Sequence, residues 1–153
     1  MNGVDEIYGL HLSSNYPTGK FGVVNGPLTS ATDCFKIKVK GKGGHSSMPE
    51  QCVDPIVAAA QIVMGIQNIK SRRISAYETA VISVCKIHGG DAYNIIPEVV
   101  EIEGSIRTFS KELRDSMPDM LRQISGGIAA SVGAESEVIY ERGYSSVVND
   151  DAL

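Results

Sequence analysis

Residues Phe35-Lys36-Ile37-Lys38-Val39-Lys40 alternate apolar and basic side chains without a break, the pattern of a strand with one dry face and one wet face. The chain must therefore supply a layer that covers the dry face. Asp54-Pro55 opens the next periodic segment. Asp54 suits a helix N-cap, and Pro55 suits the first helical position, where its missing N–H costs nothing. Ile56, Val57, Ala60, Val63 and Met64 recur at helical spacing, and Ile62, Ile66 and Ile69 widen the stripe. Such a helix is expected to be covered on two sides, by the sheet and by a subunit contact.

Two further strands are predicted over about 79–87 and 99–109 from their Val and Ile content. In the second of these, Val100, Ile102, Gly104 and Ile106 share one face and Glu101, Glu103, Ser105 and Arg107 the other. Ser110 can cap a helix whose Leu113, Met117, Leu121, Ile124 and Ile128 fall on one side. Pro118 removes a hydrogen bond there at a cost of about 3 kcal/mol, so a kink or two pieces meeting at Met117 are expected. Gly133 ends the segment, and Glu137 to Glu141 read as a last strand. The order β-α-β-β-α-β predicts an α+β, ferredoxin-like sandwich: a four-stranded antiparallel sheet with two helices on one face. The first thirty residues are punctuated by Pro17, Gly19, Gly22, Gly26 and Pro27 and read as a linker or an incomplete piece.

At 153 residues the chain can bury the core of one domain. A net charge of −4, no Trp and only three Phe argue against a nucleic-acid surface. Cys34, Cys52 and Cys85 are odd in number and lack C-x-x-C spacing, which suggests neither a disulfide framework nor a structural zinc site and fits a cytoplasmic setting. The most apolar stretch, 53–69, is broken by Asp54, Pro55, Gln61, Gln67 and Asn68, and the first residues lack a basic-then-apolar signal. Neither a membrane span nor export is expected.

The alternating strand runs into Gly41-Lys42-Gly43-Gly44-His45-Ser46-Ser47-Met48-Pro49. Three glycines in four residues permit positive φ and close backbone approach, at an entropic cost that an ordinary strand end avoids. They present one imidazole. Spacing alone leaves two readings of His45 open, a loop histidine facing water and a group placed for chemistry. The same holds elsewhere. Asn94 suits turn chemistry, Arg107 reads as a solvated charge worth little, His88 can simply shape its loop, and a lone His11 is more often structural.

Taken together, Gly9-Leu10-His11, Gly43-Gly44-His45 with Met48-Pro49, Val53-Asp54-Pro55, His88-Gly89-Gly90, Tyr93 to Pro97, Gly104 to Phe109 and Glu141 to Tyr144 resemble the central part of peptidase M20 metal-dependent amidohydrolases. The branch is that of hippurate, N-acyl-amino-acid and indole-acetyl-amino-acid hydrolases. The resemblance implies a lid and dimerisation domain over 30–143, with 1–29 and 144–153 as stubs of a larger metal-binding domain and 144–153 disordered. It further implies two divalent metal ions, zinc or manganese, in the complete enzyme and none bound to this piece, because the family's Cys-x-His segment, acidic pair and downstream histidine have no counterpart here. Asp5-Glu6 is read as a solvated acidic pair and not as the missing metal ligands. The piece alone is expected to be inactive.

By the same resemblance, His11 is a metal ligand only in the complete enzyme. His45 reaches across a homodimer to stabilise the oxyanion of amide hydrolysis, Asn94 offers its amide to the substrate, and Arg107 grips the carboxylate of a small N-acyl amino acid or peptide-like substrate. Two other readings stay open at this point: a ferredoxin-like regulatory domain with a small ligand, and a purely structural oligomerisation module.

Overall fold

The computed structural model describes residues 3–150. A short strand β1 (Gly26–Thr29) leads into β2 (Ala31–Lys40), which starts earlier than the alternation alone predicts. After β2 come a two-residue strand β3 (Gly44–His45), helix α1 (Pro55–Asn68) and strand β4 (Ala80–His88). A second two-residue strand β5 (Ile95–Ile96) precedes β6 (Val99–Thr108), helix α2 (Lys111–Ser131), β7 (Glu135–Arg142) and β8 (Val147–Asn149). Strands β4, β6, β2 and β7 form, in that order, one antiparallel sheet. The α+β class, the two helices and the four-stranded antiparallel sheet are as expected. The segment beyond Tyr144, expected to be disordered, carries β8, which pairs antiparallel with β1. Residues 151–153 of that segment lie outside the described residues.

The dry face of the sheet is built from Phe35, Ile37 and Val39 of β2 and Val100, Ile102 and Ile106 of β6. Both helices close over it with Ala58, Ala59, Ile62 and Ile66 from α1 and Leu113, Met117 and Leu121 from α2. Each fully buried Ile, Leu or Met contributes roughly 1.5–3 kcal/mol relative to exposure. Gly104 interrupts the β6 face for a steric reason: a Cβ there would stand 2.4 Å from Cζ of Phe35, whose ring takes that space. The wet face carries an ionic ladder in which Lys36 reaches Glu101 and Glu103 at 3.0 and 3.1 Å, and Lys86 reaches Glu103 at 3.0 Å. Hydrogen bonds from Lys86 and Lys36 hold the Glu103 carboxyl below the usual range.

The structure decides what the sequence left open in α1 and corrects one expectation in α2. In α1, Asp54 caps as predicted, its Oδ1 accepting from the Ile56 N–H at 2.8 Å. The buried stripe, however, is Ala58, Ala59, Ile62, Ile66 and Ile69, while Ile56, Val57 and Met64 face outward. Both stripes are apolar, so periodicity could not choose between them. The helix then runs on through a π turn, Ile69–Arg73. In α2, Ser110 caps Leu113 N–H, but Pro118 does not divide the helix, which is continuous from Lys111 to Ser131. Leu113 and Met117 before the proline and Leu121 and Ala129 after it are buried on the same side, and that packing outweighs one lost hydrogen bond. Gly133, at φ +79°, closes α2: its N–H donates to Ala130 and the Ala134 N–H reaches back to Ala129, a Schellman pair.

Asp33, 1% exposed, ties the junction end of the sheet together. It accepts two hydrogen bonds from Arg114 Nε (2.9 and 3.2 Å), one from the terminal nitrogen of Arg114 (2.6 Å), one from the Tyr140 hydroxyl (2.7 Å) and one from the Gly143 N–H (3.1 Å). Strand β2, helix α2 and the exit of β7 are thereby joined at one carboxylate. Burial pushes this carboxyl up, but the bonds from Arg114, Tyr140 and Gly143 outweigh it and hold it below the usual range. Burial and the bond to Asp33 push the Tyr140 phenol well above its ordinary value.

A lowered folded pKa means that the contribution of Asp33 is complete above its ordinary unfolded value of about 4 and is lost as pH falls through the folded value. Asp33→Ala, which leaves the half-buried Arg114 with only the Gly143 C=O to bond, is expected to cost about 3 kcal/mol at neutral pH by urea denaturation and to flatten the loss of stability below about pH 4. The helix glycines give a contrasting pair. A Cβ at Gly127 meets nothing within 4 Å, whereas one at Gly65 meets Ile128 Cδ1 at 2.4 Å. Gly127→Ala is expected to raise stability by roughly 0.5–1 kcal/mol and Gly65→Ala to lower it, read as opposite shifts of the urea midpoint.

Candidate functional site

The glycine loop after β2 is held by backbone at every turn. Gly41 N–H donates to Glu98 C=O at 2.8 Å, extending the β2–β6 ladder past its end. Lys42 and Val53 exchange two hydrogen bonds of 2.9 Å each. Gly44 and His45 then pair antiparallel with Ile96 and Ile95, and the Ser46 N–H donates to Asn94 C=O at 3.0 Å. None of Gly41, Gly43 and Gly44 has positive φ. Their glycine character serves close approach instead: a Cβ would stand 2.1 Å from Val53 O at Gly41, 2.8 Å from Ile96 O at Gly43 and 2.5 Å from Cys52 Sγ at Gly44. Positive φ falls to Gly90, in the facing loop, at +81°.

This ladder sets His45 opposite Ile95 and Ser46 against Asn94, so the segments that carry His45 and Asn94 meet beyond one end of the four-stranded sheet, although they lie far apart in the chain. The His45 ring is exposed and Asn94 half-buried. The Ser47 N–H donates to His45 Nδ1 at 3.2 Å, and the Ser47 hydroxyl lies 2.8 Å from the same atom. A backbone N–H can only donate, so this contact makes Nδ1 an acceptor and leaves Nε2 as the donor of a neutral ring. His88 ends β4 opposite Glu101 and lines an open cleft of about 460 Å³ together with Asp91, Ile95, Pro97 and Glu98.

Arg107 is elsewhere. It stands opposite Thr32 and Val81 at the far end of β6, and the eight steps from Val99 to Arg107 span roughly 27 Å at about 3.4 Å per residue. That end is where the chain enters and leaves: Thr32 N–H donates to Tyr144 C=O and Gly143 N–H to Thr32 C=O, both at 2.9 Å. His11 belongs to the exposed segment before β1, with its Nδ1 2.6 Å from the Leu12 carbonyl oxygen. Among the described residues no group of three or more His, Cys, Asp and Glu could hold a metal ion. Among the same residues, no helix is long and apolar enough to cross a membrane. Sequence reasoning missed Ser47 and Cys52. The spacing of a hydroxyl two residues after His45 was the available signal for the first; nothing local marks the second, whose sulfur meets Gly44 through the fold.

Residues 32–130 match the peptidase dimerisation domain of the M20 family. The chain is 43% identical over 150 residues to an N-acetylcysteine deacetylase of Bacillus subtilis, covering 98% of this chain and 40% of that protein. It is 42% identical over 151 residues to an N-acyl-L-amino acid amidohydrolase of Geobacillus stearothermophilus, covering 99% of this chain and 41% of the relative. A crystal structure of a dinuclear metal-binding M20 peptidase from Bacillus subtilis superposes with a TM-score of 0.71 at 38% identity, covering 92% of this chain and 34% of that one. The chain thus spans about two fifths of the length of these curated relatives. A two-helix, four-stranded antiparallel domain with this match is a peptidase dimerisation domain, and the chain belongs to the M20 family.

The close contact under Gly44 gives a direct test of the loop. Gly44→Ala is expected to drive its methyl into Cys52 Sγ, lower stability by roughly 1–3 kcal/mol and shift the amide resonances of Ser46 and Ile95. Adding Cys52→Ala, which removes only the sulfur, is expected to restore both the stability and the resonances.

Proposed function

We propose that this chain is the lid and dimerisation domain, over 30–143, of a metal-dependent amidohydrolase that cleaves N-acyl amino acids or related amides. Residues 1–29 and 144–153 belong in this reading to the larger metal-binding domain. The observation that carries it is the placement of His45 and Asn94 at the sheet end opposite to the chain junction, with Arg107 at the junction itself. A lid hinged at one end holds His45 and Asn94 too far out to serve the domain it is joined to, so they serve the partner's site, while Arg107 serves its own. The strand order β4-β6-β2-β7, with the helices following the first and third of its strands along the chain, supports the ferredoxin-like description.

The residues of this chain do not by themselves fit a metal centre, since no cluster of ligands forms among those described. Metal dependence comes to the parent from the dinuclear relative, with two ions, zinc or manganese, and His11 as one ligand beside groups outside this segment. What this chain supplies is hydrogen bonding. As an amide carbonyl is attacked, charge grows on its oxygen, and the outward Nε2–H of His45 is a donor already oriented for it. Removing one such donor typically lowers the rate a hundred- to a thousandfold. The Asn94 amide orients the same group, and the planar fork of Arg107 suits the free carboxylate of the substrate.

The homodimer contact follows from what the fold leaves open. Strand β4 is a sheet edge with Val81 and Ile87 exposed, and α1, which packs beside it, turns Ile56, Val57 and Met64 outward. An unpaired edge next to an apolar helix face is a self-complementary surface for a two-fold contact.

Subunit mixing in the full-length hydrolase tests this. His45→Ala and His11→Ala homodimers are each expected to lose at least about a hundredfold in kcat. Mixed and reannealed, they are expected to recover activity, because a heterodimer pairs one intact metal-binding domain with the intact lid of its neighbour. Recovery indistinguishable from the sum of the two inactive homodimers would place His45 in its own subunit's site and sink the cross-subunit reading.

A further inference from the structure

We infer that Ser47 is a positioning residue, which fixes both the tautomer and the direction of the His45 ring so that Nε2–H is presented outward as the sole ring donor. The inference rests on the oxyanion reading for its purpose, though not for its geometry. A neutral imidazole has one protonated and one bare nitrogen, and in water both tautomers are populated. A backbone N–H can only donate, so the 3.2 Å contact from Ser47 N to His45 Nδ1 requires that Nδ1 be bare. The Ser47 hydroxyl, 2.8 Å from the same nitrogen, adds a second donor with its rotatable proton. Two groups of one residue thus converge on one ring atom: a proton on Nδ1 would break the N–H contact and make the hydroxyl turn to accept, and a ring flip would lose both.

The backbone around this pair is fixed independently. Met48 N–H donates to His45 C=O at 3.0 Å and Ser46 N–H to Asn94 C=O at 3.0 Å, so the turn that carries Ser47 is closed on both sides of His45. Ser47 is exposed and touches no part of the core, and its side chain has no role in folding that the structure shows. An Nδ1–H tautomer would turn the donor inward toward Ser47 and leave a lone pair facing the oxygen on which negative charge develops. Ser47 therefore acts through His45 and need not touch the substrate.

Two measurements test the inference. In this chain labelled with ¹⁵N-histidine, at a pH where the ring is neutral, His45 is expected to show a pyridine-type Nδ1 and a pyrrole-type Nε2. In Ser47→Ala, which keeps the backbone N–H and loses the hydroxyl, both resonances are expected to move part of the way toward the average of mixed tautomers, and Ser47→Thr, which keeps the hydroxyl, is expected to restore them. In the full-length hydrolase, Ser47→Ala is expected to lower kcat about three- to tenfold, as for one lost hydrogen bond, with KM within about twofold and recovery in Ser47→Thr. Mixed tautomers in the unaltered chain, or resonances and kcat that do not respond to Ser47→Ala, would overturn it. A His45→Ala hydrolase with unchanged kcat would remove the oxyanion reading instead, and the resonances would still decide whether Ser47 sets the tautomer.

Discussion

The ladder between β2 and β6 is the constraint on which the remainder of the structure depends. It runs in unbroken register from Ala31↔Thr108 to Lys40↔Val99, and each of its faces and each of its ends has a separate task. The dry face sets where the helices lie, and the wet face takes the Lys–Glu ladder. One end continues through the Gly41–Glu98 hydrogen bond into the paired loops of His45 and Asn94. The other end is tied by Asp33 to α2 and to the returning chain. Slipping the register by one residue would exchange the faces and separate both ends from their partners.

The two ends are built by different physics. At the junction, a buried carboxylate is compensated by a two-pronged guanidinium, a phenol and a backbone N–H, an arrangement that is costly to break at any single member. At the loop end almost nothing is buried, and the geometry comes from backbone pairing at distances that only glycine permits. The first arrangement ties β2, α2 and the end of β7 to one another. The second fixes the backbone that carries an exposed imidazole.

Much of the fold was legible in the sequence because it rests on short-range chemistry. Alternation at Phe35 to Lys40, the Asp54 and Ser110 caps and the Gly133 stop each read correctly from a few neighbouring residues. What could not be read depends on partners distant in the chain. Asp33, Arg114 and Tyr140 meet across three elements, and Gly44 meets Cys52 only after the loop folds. The buried side of α1 was ambiguous because both of its stripes are apolar. The continuity of α2 through Pro118 was set by tertiary packing that outweighs local propensity. Of the site, His45 and Asn94 were named from resemblance, but the pairing of their segments, the Ser47 contacts on His45 Nδ1 and the separation from Arg107 belong to the fold.

The adjacency of the His45 and Asn94 loops is most directly tested by amide hydrogen exchange at Ser46, read by NMR on this chain with Gly41 as its companion. With Ser46 N–H bonded to Asn94 C=O and Gly41 N–H to Glu98 C=O, both amides are expected to exchange at least about tenfold more slowly than an unstructured chain, with Gly41 following the β2–β6 strands. Exchange of Ser46 at the unstructured rate while Gly41 stays protected would show that the two loops are not held together, and would contradict the pre-set pairing of His45 with Asn94.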